Sequence, residues 1–301
     1  MHTAGFGRLS IANCFQPDSY FKCRADARQA TVPFLRPART MRALLQQRDL
    51  ILQFAKREFS LKYRGAALGL FWAVLRPLMM LAIYAVVFGF VFKSRYFQHN
   101  ETPLEFGLAM FCGLALFDFF AECVGRAPTL IQNSSNLVTK VVFPLETLPV
   151  SLVVSGAVQL VIELTLLLAG CVLIRHSLPL SILFLPLILV PLLLMTLGTT
   201  WFLASFGVFV RDTSSIVRPL LTVVVYCSAI FYPIERVPPP FRTFLELNPL
   251  SLIAEQSRRV VMLGAPLEWL PWLYSFVVGL LICVFGYFFF MRTKSAFADV
   301  L

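Results

Sequence analysis

Few residues in this 301-residue chain have both the type and the setting to do chemistry. Asp118, Glu122 and Arg126 follow one another at four-residue intervals, and Arg76 and Glu163 sit inside separate apolar runs. On a helix the first three share a face, where carboxylates and a guanidinium can pair or hold a charged ligand. An ion inside an apolar segment is expensive and needs a reason. Two readings stay open. In the structural one, Arg76 pairs with Asp118 across neighbouring segments and Glu122 pairs with Arg126. In the other, Arg76 acts with Lys62 and Arg64, at the entrance to its segment, to grip a phosphate or pyrophosphate, for which a guanidinium is a bidentate match. Glu163 has no evident cation at its level.

Other chemistries find no support. No GxxxxGK[ST] loop is present, so this chain does not by itself cradle nucleotide phosphates in that way. There is no HExxH, GxSxG or Cys/His cluster, and His2, His99 and His176 are far apart in the chain. Cys112, Cys123, Cys171, Cys227 and Cys283 are scattered through apolar runs, which reads as small core residues rather than a metal or disulfide framework. No cofactor and no metal site is expected.

The elements that position these residues belong to a membrane protein. The chain is 58% hydrophobic and 14% charged, against about 25% charged in soluble domains. Apolar windows predict six spans, at about Leu68–Phe92, Phe106–Val124, Leu148–Ile174, Leu178–Val210, Val217–Tyr232 and Trp269–Met291. The fourth, about 50 Å as a helix, exceeds a bilayer core of about 30 Å and must tilt or bend, with Pro186 and Pro191 available. The fifth is short and hemmed by Pro219 and Pro233.

Before the first span, residues 43–66 read as an amphipathic helix lying in the headgroup plane. Leu44, Ile51, Leu52, Ala55, Phe59 and Tyr63 fall on one side, and Gln46, Asp49, Gln53, Lys56, Arg57, Ser60 and Arg64 on the other. Residues 1–42 are Arg-rich and acid-poor without a signal-peptide core, and read as a basic cytoplasmic tail beside the anionic leaflet. Lys and Arg are denser on the side of the termini, which places both termini in the cytoplasm. Residues 67–301 form the membrane domain. Between spans five and six, Asn248 and Pro249 are an N-cap and N1 pair and Gly264 a C′ residue, which predicts a helix from Pro249 to about Leu263 after a shorter one around Phe241–Leu247.

Two stretches, RDLILQFAKREFSLKYRGAALGLFWAVLRPLMMLAIYAVVFGFVF and FLELNPLSLIAEQSRRVVMLG, resemble the start and the far end of the permease subunit of type-2 ABC exporters for O-antigen, capsule or teichoic-acid polymers. The resemblance runs from Ala43 to the C-terminus. It implies an all-α integral membrane protein with six transmembrane helices, an N-terminal interfacial helix and re-entrant extracytoplasmic helices between spans five and six. It also implies a homodimer around a central pore, working with two copies of an ABC-type ATPase subunit that binds the ATP.

On that footing the substrate is a lipid-linked polysaccharide moved across the cytoplasmic (inner) membrane, and the chain itself is a transport subunit, not an enzyme, with no nucleic-acid partner. Lys62, Arg64 and Arg76 would meet the lipid phosphate. Trp72, Tyr84, Phe88 and Phe92 of the first span, with Tyr226, Phe231 and Tyr232 of the fifth, would line the path of the sugars. Asn133, Asn136, Lys140 and Glu146 would couple to the ATPase, and Phe244, Asn248, Pro249 and Arg258 would belong to the outer gate. A membrane-embedded glycolipid-modifying enzyme would need paired acids, for which Asp118 and Glu122 are the close pair. An ion-coupled transporter would use Asp118, Glu122 or Glu163, yet broken helices repeated in two halves are not apparent.

Overall fold

In a medium that cannot hydrogen-bond the backbone, apolar stretches become helices. The computed structural model describes residues 47–91, 102–135, 143–175, 179–234 and 237–300, and among them every regular element is helical. The expected tail 1–42, the start of the interfacial helix, and Phe92, Asn136 and Lys140 lie outside the described residues.

Helix α1 (Arg48–Tyr63) leads through a short turn to α2 (Trp72–Tyr84), which continues as a π-helical segment, Ala85–Val91. Then come α3 (Pro103–Leu130), α4 (Thr147–Arg175), α5 (Leu185–Phe209) and α6 (Thr213–Tyr226). A pair of shorter helices, α7 (Pro239–Leu247) and α8 (Pro249–Arg258), precedes α9 (Trp269–Thr293) and a terminal turn, α10 (Phe297–Val300).

Among the described residues, five helical stretches are long and apolar enough to cross a membrane: Gly69–Phe90, Pro103–Leu130, Thr147–Arg175, Leu180–Phe209 and Trp269–Ala296. The expected fifth span is the exception. It starts four residues earlier than its apolar window and stops at Tyr226, giving 14 helical residues, or about 21 Å. Beyond it the chain turns through residues 227–234, with Ala229 at φ 46°.

α3 is the central post. Phe106, Leu108, Met110, Leu114, Phe117 and Cys123 are buried in one core with residues of α4, α5 and α8. Its start is fixed by a capping box, in which the Thr102 side chain accepts from Glu105 N and the Glu105 carboxylate accepts from Thr102 N. α9 lies along α5 so closely that a Cβ on Gly286 would strike the backbone of Gly198, and one on Gly279 would come within 2.8 Å of Pro191 O. Small residues at such a seam let two membrane helices approach without help from the hydrophobic effect.

α1 rests on α4 with Ile51 and Ala55 buried. Its contact stripe is narrower than the helical wheel suggests, because Leu52 on the same side is 58% exposed. Phe54 instead reaches the ring of Phe143, 5.2 Å between centroids. α8 follows its sequence signals: the Asn248 side chain accepts from Leu250 N, and the chain ends in a π turn, Arg259–Leu263, with Gly264 left-handed at φ 67°.

Candidate functional site

A cavity of about 790 Å³ opens between the end of α1, α2, α3, α4 and α6. Each wall delivers its charge for a local reason. The last turn of α1 brings Lys62 and Tyr63, and α2 presents Arg76 one residue before the buried Pro77. The face of α3 that carries a polar residue every fourth position supplies Asp118, Glu122 and Arg126. α4 adds Gln159 and Glu163, and α6 adds Arg218.

At the mouth the charges are paired. Lys62 Nζ lies 2.7 Å from Glu122 Oε2, Arg126 is 3.7 Å from Glu122 Oε1, and Arg126 also donates to Glu58. Deeper in, the Tyr63 hydroxyl donates to Gln159 Oε1 at 2.7 Å, and Gln159 Nε2 donates to Glu163 Oε1 at 3.0 Å and to Ala73 O at 3.1 Å. Burial raises the Tyr63 phenol above its ordinary value, with Lys62 pulling the other way, so the hydroxyl keeps its proton.

The expected pairing is half realised. Glu122 and Arg126 meet, but the Arg76–Asp118 ion pair is not made: both side chains are exposed and face the same space, with no ionic partner within 4.0 Å among the described residues. Glu122 has taken Lys62 instead, an interhelical partner that sequence spacing does not show. Arg64 is exposed and does not line the cavity. Sequence reasoning passes over Gln159, although its position four residues before Glu163 in an apolar run is a readable sign of a polar pair. It also passes over Glu58 and Arg218.

The aromatic candidates divide. Tyr84 lines the inner cavity. Phe88 stacks loosely with Tyr84, Phe106 and Phe231, and Phe231 lies 5.5 Å from Tyr226, so rings of α2 and of the turn after α6 do meet. Trp72 is partly exposed and belongs to neither cavity. On the opposite side, Tyr226, Tyr232, Phe241 and Phe244 surround a second, apolar hollow of about 430 Å³.

Above this second hollow the gate candidates serve different ends. Phe244 is 62% exposed. Asn248 Nδ2 donates to Cys227 O at 2.8 Å and to Ser228 Oγ at 3.2 Å, and Pro249 opens α8. Arg258 is fully buried and donates to Ala109 O at 2.9 Å, Ala229 O at 3.3 Å and Ile230 O at 2.6 Å, with Glu255 3.5 Å away. The irregular turn after α6 has carbonyls that no helix ladder satisfies, and Asn248 and Arg258 donate to three of them, those of Cys227, Ala229 and Ile230.

Of the residues expected to contact a motor, Asn133 sits in a short turn, Gln132–Ser134. Glu146 is engaged inside the chain: Lys294 Nζ is 2.5 Å from its carboxylate, and Trp201 Nε1 donates to its backbone carbonyl.

Comparison with known proteins agrees with this architecture. Residues 49–262 match the model of the ABC-2 type transporter family. The "O-antigen export system permease protein RfbA" of Myxococcus xanthus is 30% identical over 75% of this chain and 78% of its own length. A protein of the same name from Klebsiella pneumoniae is 23% identical over 84% of this chain and 95% of its own. The "Polysialic acid transport protein KpsM" of Escherichia coli is 24% identical over 69% and 79%, respectively. The stretch matched includes α1 from its second residue, the residues that line the cavity and the helix pair before the last span, and the protein belongs to the ABC-2 type transporter family.

Proposed function

We propose that this chain is the permease subunit of an ATP-driven exporter that moves a lipid-linked polysaccharide, O-antigen-like or capsular, across the cytoplasmic membrane. Two kinds of relative support the polymer class, one named for O-antigen export and one for polysialic acid transport. The observation that carries the reading to a site is the inner cavity, an opening at the interfacial helix in which Arg76 faces free space instead of a carboxylate. A lipid phosphate entering beside α1 meets that guanidinium, and the sugars continue past Tyr84, Phe88, Phe231 and Tyr226.

In this reading α6 and the α7–α8 pair together complete a sixth crossing, with α7 and α8 re-entrant from the outside. Two copies of the chain enclose the pore, with both termini cytoplasmic. A separate ABC-type ATPase, in two copies, binds and hydrolyses the ATP and acts on the Asn133–Glu146 loop and on α1. Residues 1–42 form a cytoplasmic tail and 67–301 the membrane domain.

The test is export of glycan and hydrolysis of ATP in membranes carrying the chain with and without its ATPase, comparing wild type with Arg76→Ala. Export that needs the ATPase, and a variant that hydrolyses ATP while exporting little, are the expected results. A chain that binds no ATPase and supports no export would sink the reading.

A further inference from the structure

The charges around the inner cavity fall into two sets. Lys62 and Arg126 are spent on Glu122 and Glu58, and Glu163 is held by Gln159. Arg76, Arg218 and Asp118 face the space with no ionic partner within 4.0 Å among the described residues. Asp118 stands exposed between Phe117 and Phe119, which are 7% and 3% exposed, so α3 points this carboxylate into the opening and buries its neighbours. A cavity built only to gather negative charge would not carry an open acid beside its open guanidinium, since Asp118 opposes whatever anion Arg76 attracts.

We infer that Asp118 is a specificity-determining residue, which lets the cavity accept a phosphodiester that joins lipid to sugar and reject a phosphomonoester on the same lipid. The inference rests on the proposed function, that a lipid-linked glycan enters here. A phosphodiester carries a single negative charge, and the sugar beyond it brings hydroxyl donors. Arg76 binds the phosphate oxygens, and Asp118, an acceptor only, takes a sugar hydroxyl. A phosphomonoester brings about −1.5 to −2 charges at pH 7 and no sugar hydroxyls. Its additional charge meets the Asp118 carboxylate across the same cleft. The same distinction of charge holds for a diphosphate carrier, whose outermost phosphate bears one negative charge when a sugar is attached and between one and two when it is bare. The unglycosylated carrier, which is the lipid left once a glycan has been removed, is thereby kept from occupying the site.

The experiment uses the full chain in nanodiscs, together with its ATPase, and measures binding of a polyprenyl phosphoryl-hexose, a polyprenyl monophosphate and the neutral polyprenol. Wild type is expected to favour the diester over the monoester by about tenfold, the scale of one like-charge contact in such a cleft. In Asp118→Asn the preference shrinks to within about twofold because the monoester binds more tightly, Asp118→Glu keeps the preference, and Arg76→Ala weakens both anionic lipids. The selectivity is overturned if Asp118→Asn retains the wild-type ratio, or if the two anionic lipids bind wild type equally. If neither anionic lipid binds wild type better than polyprenol does, the cavity is not the headgroup site and the reading beneath the inference falls with it.

Discussion

Arg76 and Arg258 are both cations on helices of the membrane domain, and the chain treats them in opposite ways. Arg258 has no exposed surface and spends its guanidinium on three backbone carbonyls from two other parts of the fold. Arg76 is exposed in a cavity and has no carboxylate within ion-pair distance among the described residues. The difference teaches that a charge inside a membrane protein is classified by what its donors are committed to, not by its depth. A committed arginine is architecture, and an uncommitted one is available to a ligand.

That contrast breaks first, if at all, at Arg258. Arg258→Met strands the carbonyls of Ala229 and Ile230, each worth about 1–3 kcal/mol when buried without a donor, and loses the contact to Ala109 O, which α3 also holds within its own backbone ladder. The thermal midpoint of the purified protein should fall by the largest margin of any variant named here. Arg258→Lys should recover little, because a point-like ammonium cannot reach three acceptors as a planar fork does. A Met variant as stable as wild type would remove Arg258 from the architecture.

Gly113→Ala is the next test, since a Cβ there would collide with the Arg258 guanidinium. The expected loss is about 1–3 kcal/mol, and in the double variant with Arg258→Met most of that loss should disappear, because the colliding group is gone. Additive losses would mean that the two residues act independently.

A smaller effect is expected at the Glu146–Lys294 pair, which is partly exposed at 15% and 29%. Lys294→Ala should cost about 1 kcal/mol or less, and the exchange Glu146→Lys with Lys294→Glu should restore part of it in the same melting assay. No recovery in the exchanged pair would show that surrounding groups, such as Trp201 over the Glu146 backbone, hold this junction.

Arg76→Ala should leave stability within about 0.5 kcal/mol of wild type while export falls, which separates the two arginines most sharply. A large loss of stability at Arg76 would erase the distinction between them.

Local chemistry is the part of this molecule that its amino-acid order makes legible. The apolar windows locate five long helices, and the Asn248–Pro249 and Gly264 signals locate both ends of the helix-and-turn that precedes the last span, since caps depend on neighbouring residues alone. The four-residue spacing of Asp118, Glu122 and Arg126 marks the wall of the cavity. Partners across helices are not legible. Lys62 reaches Glu122 over 60 residues of sequence, and Arg258 reaches Ala109 over 149. The commitment of Arg258 to backbone carbonyls is therefore not visible in the sequence, and of the two readings left open for Arg76, the pair with Asp118 is not the one formed: the two face the same opening. The early end of α6 at Tyr226 is hidden for the same reason, because groups that hold the turn after it, Asn248 on Cys227 O and Arg258 on Ala229 O and Ile230 O, come from later in the chain.

The glycine seam between α5 and α9 has a mechanical corollary. Gly198 and Gly286 meet backbone to backbone, and Gly279 sits against Pro191 O, so neither helix can slide or roll on the other without driving main chain into main chain. The two behave as one strut. Movement during a transport cycle must then be taken up by elements with little of their surface locked, and α2 and α6 fit that description: buried residues are few on both, while Leu78, Met79, Ile83, Leu220 and Val223 stand exposed. Arg76 is on one of these looser helices and Arg218 on the other, whereas Asp118 is fixed to the central post. A shift of α2 or α6 against α3 would therefore change the distances of Arg76 and Arg218 from Asp118.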